Sequence, residues 1–172
     1  MTERNKGVLL IFLAALLWST GGAFIKATSL NAFQTSLWRS LFASLAILLI
    51  VRPKILLLDS TSLVASLAYA ATLILFVLGT KLTTAANAIL LQYTAPIYIL
   101  VLAHVLLDEK MTRLGVMTVA LCIAGMAIFF FDKLSSEGIV GNFAALGSGI
   151  CFALMTVFLR ITRLIPKLSR NE

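Results

Sequence analysis

The sequence predicts an all-α integral membrane protein with six transmembrane helices. Three observations carry this expectation. Of the 172 residues, 60% are hydrophobic and only 12% are charged, whereas a soluble domain carries about 25% charged residues. The apolar residues gather into six blocks of about 18–24 residues, the length that crosses roughly 30 Å of hydrocarbon as a helix. Aspartate and glutamate are absent from all six blocks, as expected where an unpaired carboxylate would be costly.

The first block, residues 7–25, follows Arg4 and Lys6 and therefore resembles a secretory signal, with Ala27-Thr28-Ser29 as a loose cleavage site. Its apolar run is longer than a signal core, and Lys26 interrupts before that site, so a retained span is expected. The second block, 32–51, contains Arg39 in an otherwise apolar or small run. The third and fourth, 61–80 and 84–107, are joined by the short stretch Lys81-Leu82-Thr83. Pro96 lies inside the fourth block, where its missing N–H predicts a kink. The fifth and sixth blocks are 114–131 and 139–159, and residues 161–172 form a short basic tail.

Loop charges orient the spans. With the N-terminus inside, Arg4, Lys6, Arg52, Lys54, Lys110, Arg113, Arg160, Arg163, Lys167 and Arg170 fall on the cytoplasmic side. Only Lys26, Lys81 and Lys133 fall on the other. This positive-inside bias predicts both termini cytoplasmic, in a plasma or inner membrane. The net charge of +7 therefore reflects topology. The basic residues come in ones and twos between apolar blocks and form no phosphate-binding face, so nucleic acid is not an expected partner. Cys122 and Cys151 lie in apolar runs and read as small buried hydrophobes. No cofactor or metal site is expected. No H-E-x-x-H, G-x-S-x-G or paired intramembrane carboxylates occur, and a single histidine supplies no catalytic constellation, so an enzyme is not expected.

Sliding the chain against itself by 134 residues lays GVLLIFLAALLWSTGGAFIK over GNFAALGSGICFALMTVFLR. Gly7 then meets Gly141, Trp18 meets Phe152, Phe24 meets Phe158 and Lys26 meets Arg160. Five spans separate the copies, so the second must run in the opposite direction, as in the inverted repeats of secondary transporters. The stretch ANAILLQYTAPIYILVLAHVLLDEKMTRLGVMTVALCIAGMAIF resembles the end of an EamA-type repeat of the drug/metabolite transporter superfamily. Asn87, Pro96, Asp108, Glu109, Thr112, Gly115 and Gly125 sit where that pattern places them. LLWSTGGAFIK is similar to the family's first helix, and LWRSLFASLAILLI to its second. The resemblance covers about residues 7–131 as a five-helix repeat and, more loosely, 139–160 as the first helix of a second, incomplete repeat. It implies the N-terminal half of a ten-helix, inverted-repeat fold around a central cavity that moves small metabolites across a cell membrane. Spans seven to ten of that pattern are absent, so a truncated copy or a fragment of a longer chain is expected.

Candidate cavity residues come from polar and small groups inside the spans. On the first, the resemblance implies a cavity lining for Trp18, Ser19, Thr20 and Gly22, with Gly21 alongside; Tyr69 and Thr72 on the third are weaker candidates of the same sort. On the fourth, Asn87, Leu91, Thr94 and Tyr98 recur at helical spacing, and this face either lines a cavity or joins helices. The resemblance makes the Pro96 kink part of the cavity. His104 reads as interfacial, and Asp108, Glu109, Lys110 and Arg113 as a solvated turn.

Thr35, Ser36, Ala43 and Ala46 share the face of Arg39, opposite Leu37, Leu41, Leu45 and Leu48, so Arg39 is expected to point into the bundle. There it either fixes structure or attracts an anionic group. The leading reading is a permease or exporter of small metabolites, amino-acid-like or amphiphilic. The alternatives are a half-transporter acting as a homodimer and an inert membrane remnant. An antiparallel dimer conflicts with the one-sided charge.

Overall fold

The computed structural model describes residues 3–51, 59–130 and 138–168. Arg52, Lys54, Lys133 and Arg170, invoked for orientation, lie outside the described residues, as does Phe131 at the end of the fifth block. The described chain forms helices α1 (Glu3–Ala27), α2 (Ala32–Val51), α3 (Ser60–Leu82), α4 (Ala85–Gln92), α5 (Ala95–Leu107), α6 (Arg113–Phe130) and α7 (Ile139–Leu168). Such sequences adopt helices in lipid because each backbone N–H and C=O must be satisfied within its own segment. Among the described residues, five segments are long and apolar enough to cross a membrane: Asn5–Ala27, Ala32–Ile50, Ser60–Leu82, Ala85–Leu107 and Ile139–Thr162. Arg113–Ile128 is a shorter apolar helix.

Local signals set the helix ends. Asp59 caps α3, accepting hydrogen bonds from the Thr61 hydroxyl and the Ser62 N–H. The Ser62 and Thr61 hydrogen bonds hold its carboxyl at a pKa of about 2. Thr84 caps α4 by accepting from the Asn87 N–H at 3.1 Å. Asp108 ends α5 in the left-handed region, at φ 55°, a conformation that Asp tolerates better than most residues.

Contacts at the two ends of the bundle fit alternating helix directions. On one side, Lys26 Nζ donates to the Lys81 carbonyl at 3.4 Å, and Lys81 Nζ donates to the Thr28 carbonyl at 2.9 Å. On the other, Arg160 grips Glu109 through two contacts, Nη1–Oε2 at 3.0 Å and Nη2–Oε1 at 2.5 Å.

α3 and α7 form the most extensive helix pair, with α4 and α5 also packed on α7. The sequence of α7 explains this. Gly141, Ala145, Gly149, Ala153 and Val157 recur every fourth residue and are all buried, forming a ridge of small side chains that lets backbones approach. Opposite them on α3, the buried positions are Ala65, Ala68, Thr72, Val77, Gly79 and Thr80. The approach is closest at the start of α7. A Cβ on Gly141 would lie 2.7 Å from both Leu82 C and Thr83 N, and one on Gly79 would lie 3.0 Å from the Gly141 carbonyl oxygen. A hydrogen-bond relay crosses the same pair at mid-depth. Gln92 Nε2 donates to Ser148 Oγ at 2.8 Å, and Ser148 Oγ donates to the Thr72 carbonyl at 3.2 Å.

The remaining helices are less covered. α6 rests on α5, while α1 meets α3 and α4. On α2, Ala32, Thr35 and Ser36 are buried and Arg39 partly so, but residues 41–50 are all exposed. The small face expected to pack along the whole helix does so only over its first turns, and Ala43 and Ala46 are left uncovered. The total accessible surface is 12592 Å², against roughly 8,200 Å² for a compact soluble protein of this mass. Leucine, isoleucine, valine and phenylalanine make up most of the exposed large hydrophobics, a surface suited to lipid.

This packing predicts that Gly141→Ala forces α7 away from the α3 terminus and lowers stability in detergent by about 1–3 kcal/mol, read by thermal unfolding. Gly125→Ala, whose Cβ meets nothing within 4 Å, should be neutral or stabilising by less than about 1 kcal/mol. Ser148→Ala should cost about 1 kcal/mol by leaving the Gln92 amide without its acceptor, and Gln92→Leu in the same chain should recover part of that loss.

Candidate functional site

A cavity of about 370 Å³ lies at mid-depth between α1, α2, α3, α4 and α7, within the range typical of small-molecule sites. α1 brings Trp18, Ser19 and Gly22 to it. α2 contributes Arg39, while α3 supplies Tyr69, Thr72 and Phe76. α4 presents Ile89, Gln92 and Tyr93 near its end, and α7 adds Phe152. Trp18, Tyr69 and Tyr93 remain largely exposed, so the cavity is open rather than sealed.

Each wall is positioned by a specific contact. α1 comes close to α4 at Gly22, where a Cβ would lie 3.1 Å from Ala85 Cβ. The hydroxyls of Ser19 and Thr20 donate back to the carbonyls of Leu16 and Leu17, each at 2.8 Å, so α1 satisfies its own polar groups. Thr72 does the same, donating to the Ala68 carbonyl at 2.8 Å. Gln92 is oriented by its bond to Ser148.

The α4 wall ends at a break in the fourth span. Pro96 has no N–H to give the Gln92 carbonyl, so the helical ladder cannot run through. The chain turns at Tyr93 and Thr94 instead. The Tyr93 N–H donates to the Ile89 carbonyl at 3.0 Å, and the Leu91 carbonyl accepts from the Thr94 N–H at 3.2 Å and its hydroxyl at 2.7 Å. α7 packs directly on this turn. A Cβ on Gly149 would lie 3.0 Å from the Gln92 carbonyl oxygen and 3.3 Å from Thr94 Oγ1. The kink expected at Pro96 is thus a short non-helical turn just before the proline, held by the glycine of another helix.

The structure distributes the sequence-derived candidates over two places. Trp18, Ser19, Gly22 and Arg39 line the cavity together with Tyr69 and Thr72. Thr20, Asn87, Thr94, Pro96 and Tyr98 do not. Thr20 and Pro96 are exposed and Tyr98 is half-buried. Asn87, 5% exposed, donates from Nδ2 to Thr83 Oγ1 at 3.4 Å. It lies on the packed face of α4, because Ile89, two residues on, is turned by about 200°. Gln92, Tyr93 and Phe76 line the cavity without having been singled out from sequence. Gln92 carried a usable signal, as a side-chain amide deep in an apolar span.

Arg39 dominates the electrostatics. Its Nη1 is buried without a hydrogen-bond partner among the described residues, and so is Ser36 Oγ one turn earlier. Among the described residues, no aspartate or glutamate lines the cavity.

The model of the EamA-like transporter family matches residues 5–131, which run from the first turn of α1 through α6 and end before α7. No curated protein and no solved structure matches the chain. With that match over most of its length, and with helices long and apolar enough to span a bilayer, the chain is a multi-pass membrane protein belonging to the EamA-like transporter family, whose members carry small molecules across membranes.

Proposed function

We propose that the chain is a permease for small metabolites, amino-acid-like or amphiphilic, and that its substrate passes through the cavity between α1 to α4 and α7. The observation that carries this reading is the pairing of Trp18 with Phe152. These residues coincide when the sequence is shifted by 134 positions, and both line the cavity. Equivalent aromatics from helices of opposite direction facing one mid-depth space fit an inverted-repeat carrier, whose site lies where the repeats meet. In this reading residues 7–131 form one repeat and 139–160 open a second. Trp18, Ser19, Gly22 and Arg39 face substrate, while Asn87, Thr94, Pro96 and Tyr98 hold the wall behind them. Both termini lie in the cytoplasm of a cell bounded by this membrane, a placement supported by the one-sided loop charge. A parallel homodimer is the second reading, favoured by the broad apolar surface that α1, α2 and α6 leave uncovered.

Reconstituted in proteoliposomes, the chain should show saturable flux with amino acids, nucleosides or amphiphilic drugs. Trp18→Ala and Phe152→Ala should each weaken apparent substrate affinity about tenfold or more through lost apolar contact. Met117→Ala, on the exposed face of α6, should leave flux unchanged. Absence of saturable flux with every compound would overturn the permease reading in favour of an inert remnant. Cross-linking of a parallel dimer in the same vesicles would establish the second reading.

A further inference from the structure

Resting on the reading of this cavity as the substrate path, we propose that its substrates carry one anionic group, held by Arg39, on an apolar or aromatic body. Among the described residues, Arg39 is the charged residue of the lining and no carboxylate lines the cavity beside it. The acidic residues of the described chain lie at the ends of helices, at Glu3, Asp59, Asp108 and Glu109, away from the first turns of α2. A guanidinium needs acceptors for its donors, yet Nη1 is buried without one among the described residues. The Ser36 hydroxyl, 4% exposed and one turn earlier on α2, also has no partner among the described residues, although Ser36 lies outside the cavity lining. An unsatisfied guanidinium nitrogen in a low-dielectric setting is expensive. A carboxylate or phosphate group entering the cavity meets that need at Arg39, because it brings both the missing charge and an acceptor.

The rest of the lining fixes the other end of the substrate. Trp18, Phe76 and Phe152 surround a space of about 370 Å³, suited to a compact apolar or aromatic body. Aromatic rings alone would also attract a cation, but the unpaired Arg39 beside them opposes one. The combination therefore selects against cationic amphiphiles and in favour of organic anions.

The test is a charge series on the full-length protein in detergent, by titration calorimetry and thermal shift, with phenylacetate, phenyl phosphate, phenylacetamide and phenethylamine as probes. Both anions should bind, and the amide should bind about tenfold or more weakly, the factor expected for a hydrogen bond to a charged group. Arg39→Gln should abolish that preference while retaining amide binding, and Arg39→Lys should keep part of it. The order of carboxylate and phosphate assigns the preferred anion, and either order upholds the inference. Amide or amine binding as tight as the anions, a preference surviving Arg39→Gln, or no saturable anion binding would each overturn it. Flux separates the two claims. Saturable transport of phenylacetamide but not phenylacetate would remove the anion inference and leave the permease reading intact. Arg39-dependent phenylacetate binding with no flux of any compound would do the reverse.

Discussion

The close approach of α7 to α3 is the contact on which the other features of the bundle depend. Lipid tails are as apolar as leucine, so burying leucine between helices gains little inside a bilayer. What remains is dispersion between surfaces that fit closely, together with hydrogen bonds that water does not contest. The α7 ridge of Gly141, Ala145, Gly149 and Ala153 provides the first, and the Gln92–Ser148–Thr72 relay provides the second. The same helix closes the cavity with Phe152 and covers the turn before Pro96 with Gly149. The family match ends before this helix begins, so the principal partner of α3 comes from outside the matched segment.

Polar groups in the interior follow a consistent division. Hydroxyls at Ser19, Thr20, Thr72 and Thr80 donate to carbonyls three or four residues back on their own helix and ask nothing of their neighbours. Gln92 and Ser148 join different helices and so help to fix how those helices sit. Arg39 and Ser36 belong to neither set. Their unsatisfied atoms lie on α2, a helix held to α3 only through its first turns. Polar demand and loose packing thus coincide on one wall of the cavity.

The sequence made the spans legible because hydrocarbon thickness imposes length and composition directly. Helix α2 begins and ends where its apolar block does. The division of the fourth span was less accessible. Pro96 signalled a disturbed helix, but not the Tyr93–Thr94 turn itself, nor that Gly149, more than fifty residues away, packs against it. Projecting Asn87, Leu91, Thr94 and Tyr98 onto one continuous helix ignored that break. On α1 the contiguous run Trp18 to Gly22 stood out by its aromatic, hydroxyls and glycines and by the family resemblance, and the structure brings Trp18, Ser19, Gly21 and Gly22, but not Thr20, to one cavity. Gln92 and Tyr93 escaped notice because their direction depends on where the helix stops. The exposure of α2 beyond Arg39 has no local signature, since Ala43 and Ala46 would suit a packed face equally well.

The pairing of α3 with α7 also bears on how the protein is made. The ribosome delivers α3 to the membrane long before α7, so the small-residue face of α3 enters the bilayer without the helix that will cover it. Glycines, alanines and hydroxyls that bond within their own helix make that interval tolerable, because such a face can rest against lipid without leaving a donor stranded. The bundle then matures by capture of a later helix, and biogenesis is most exposed to error in the time between those two insertions.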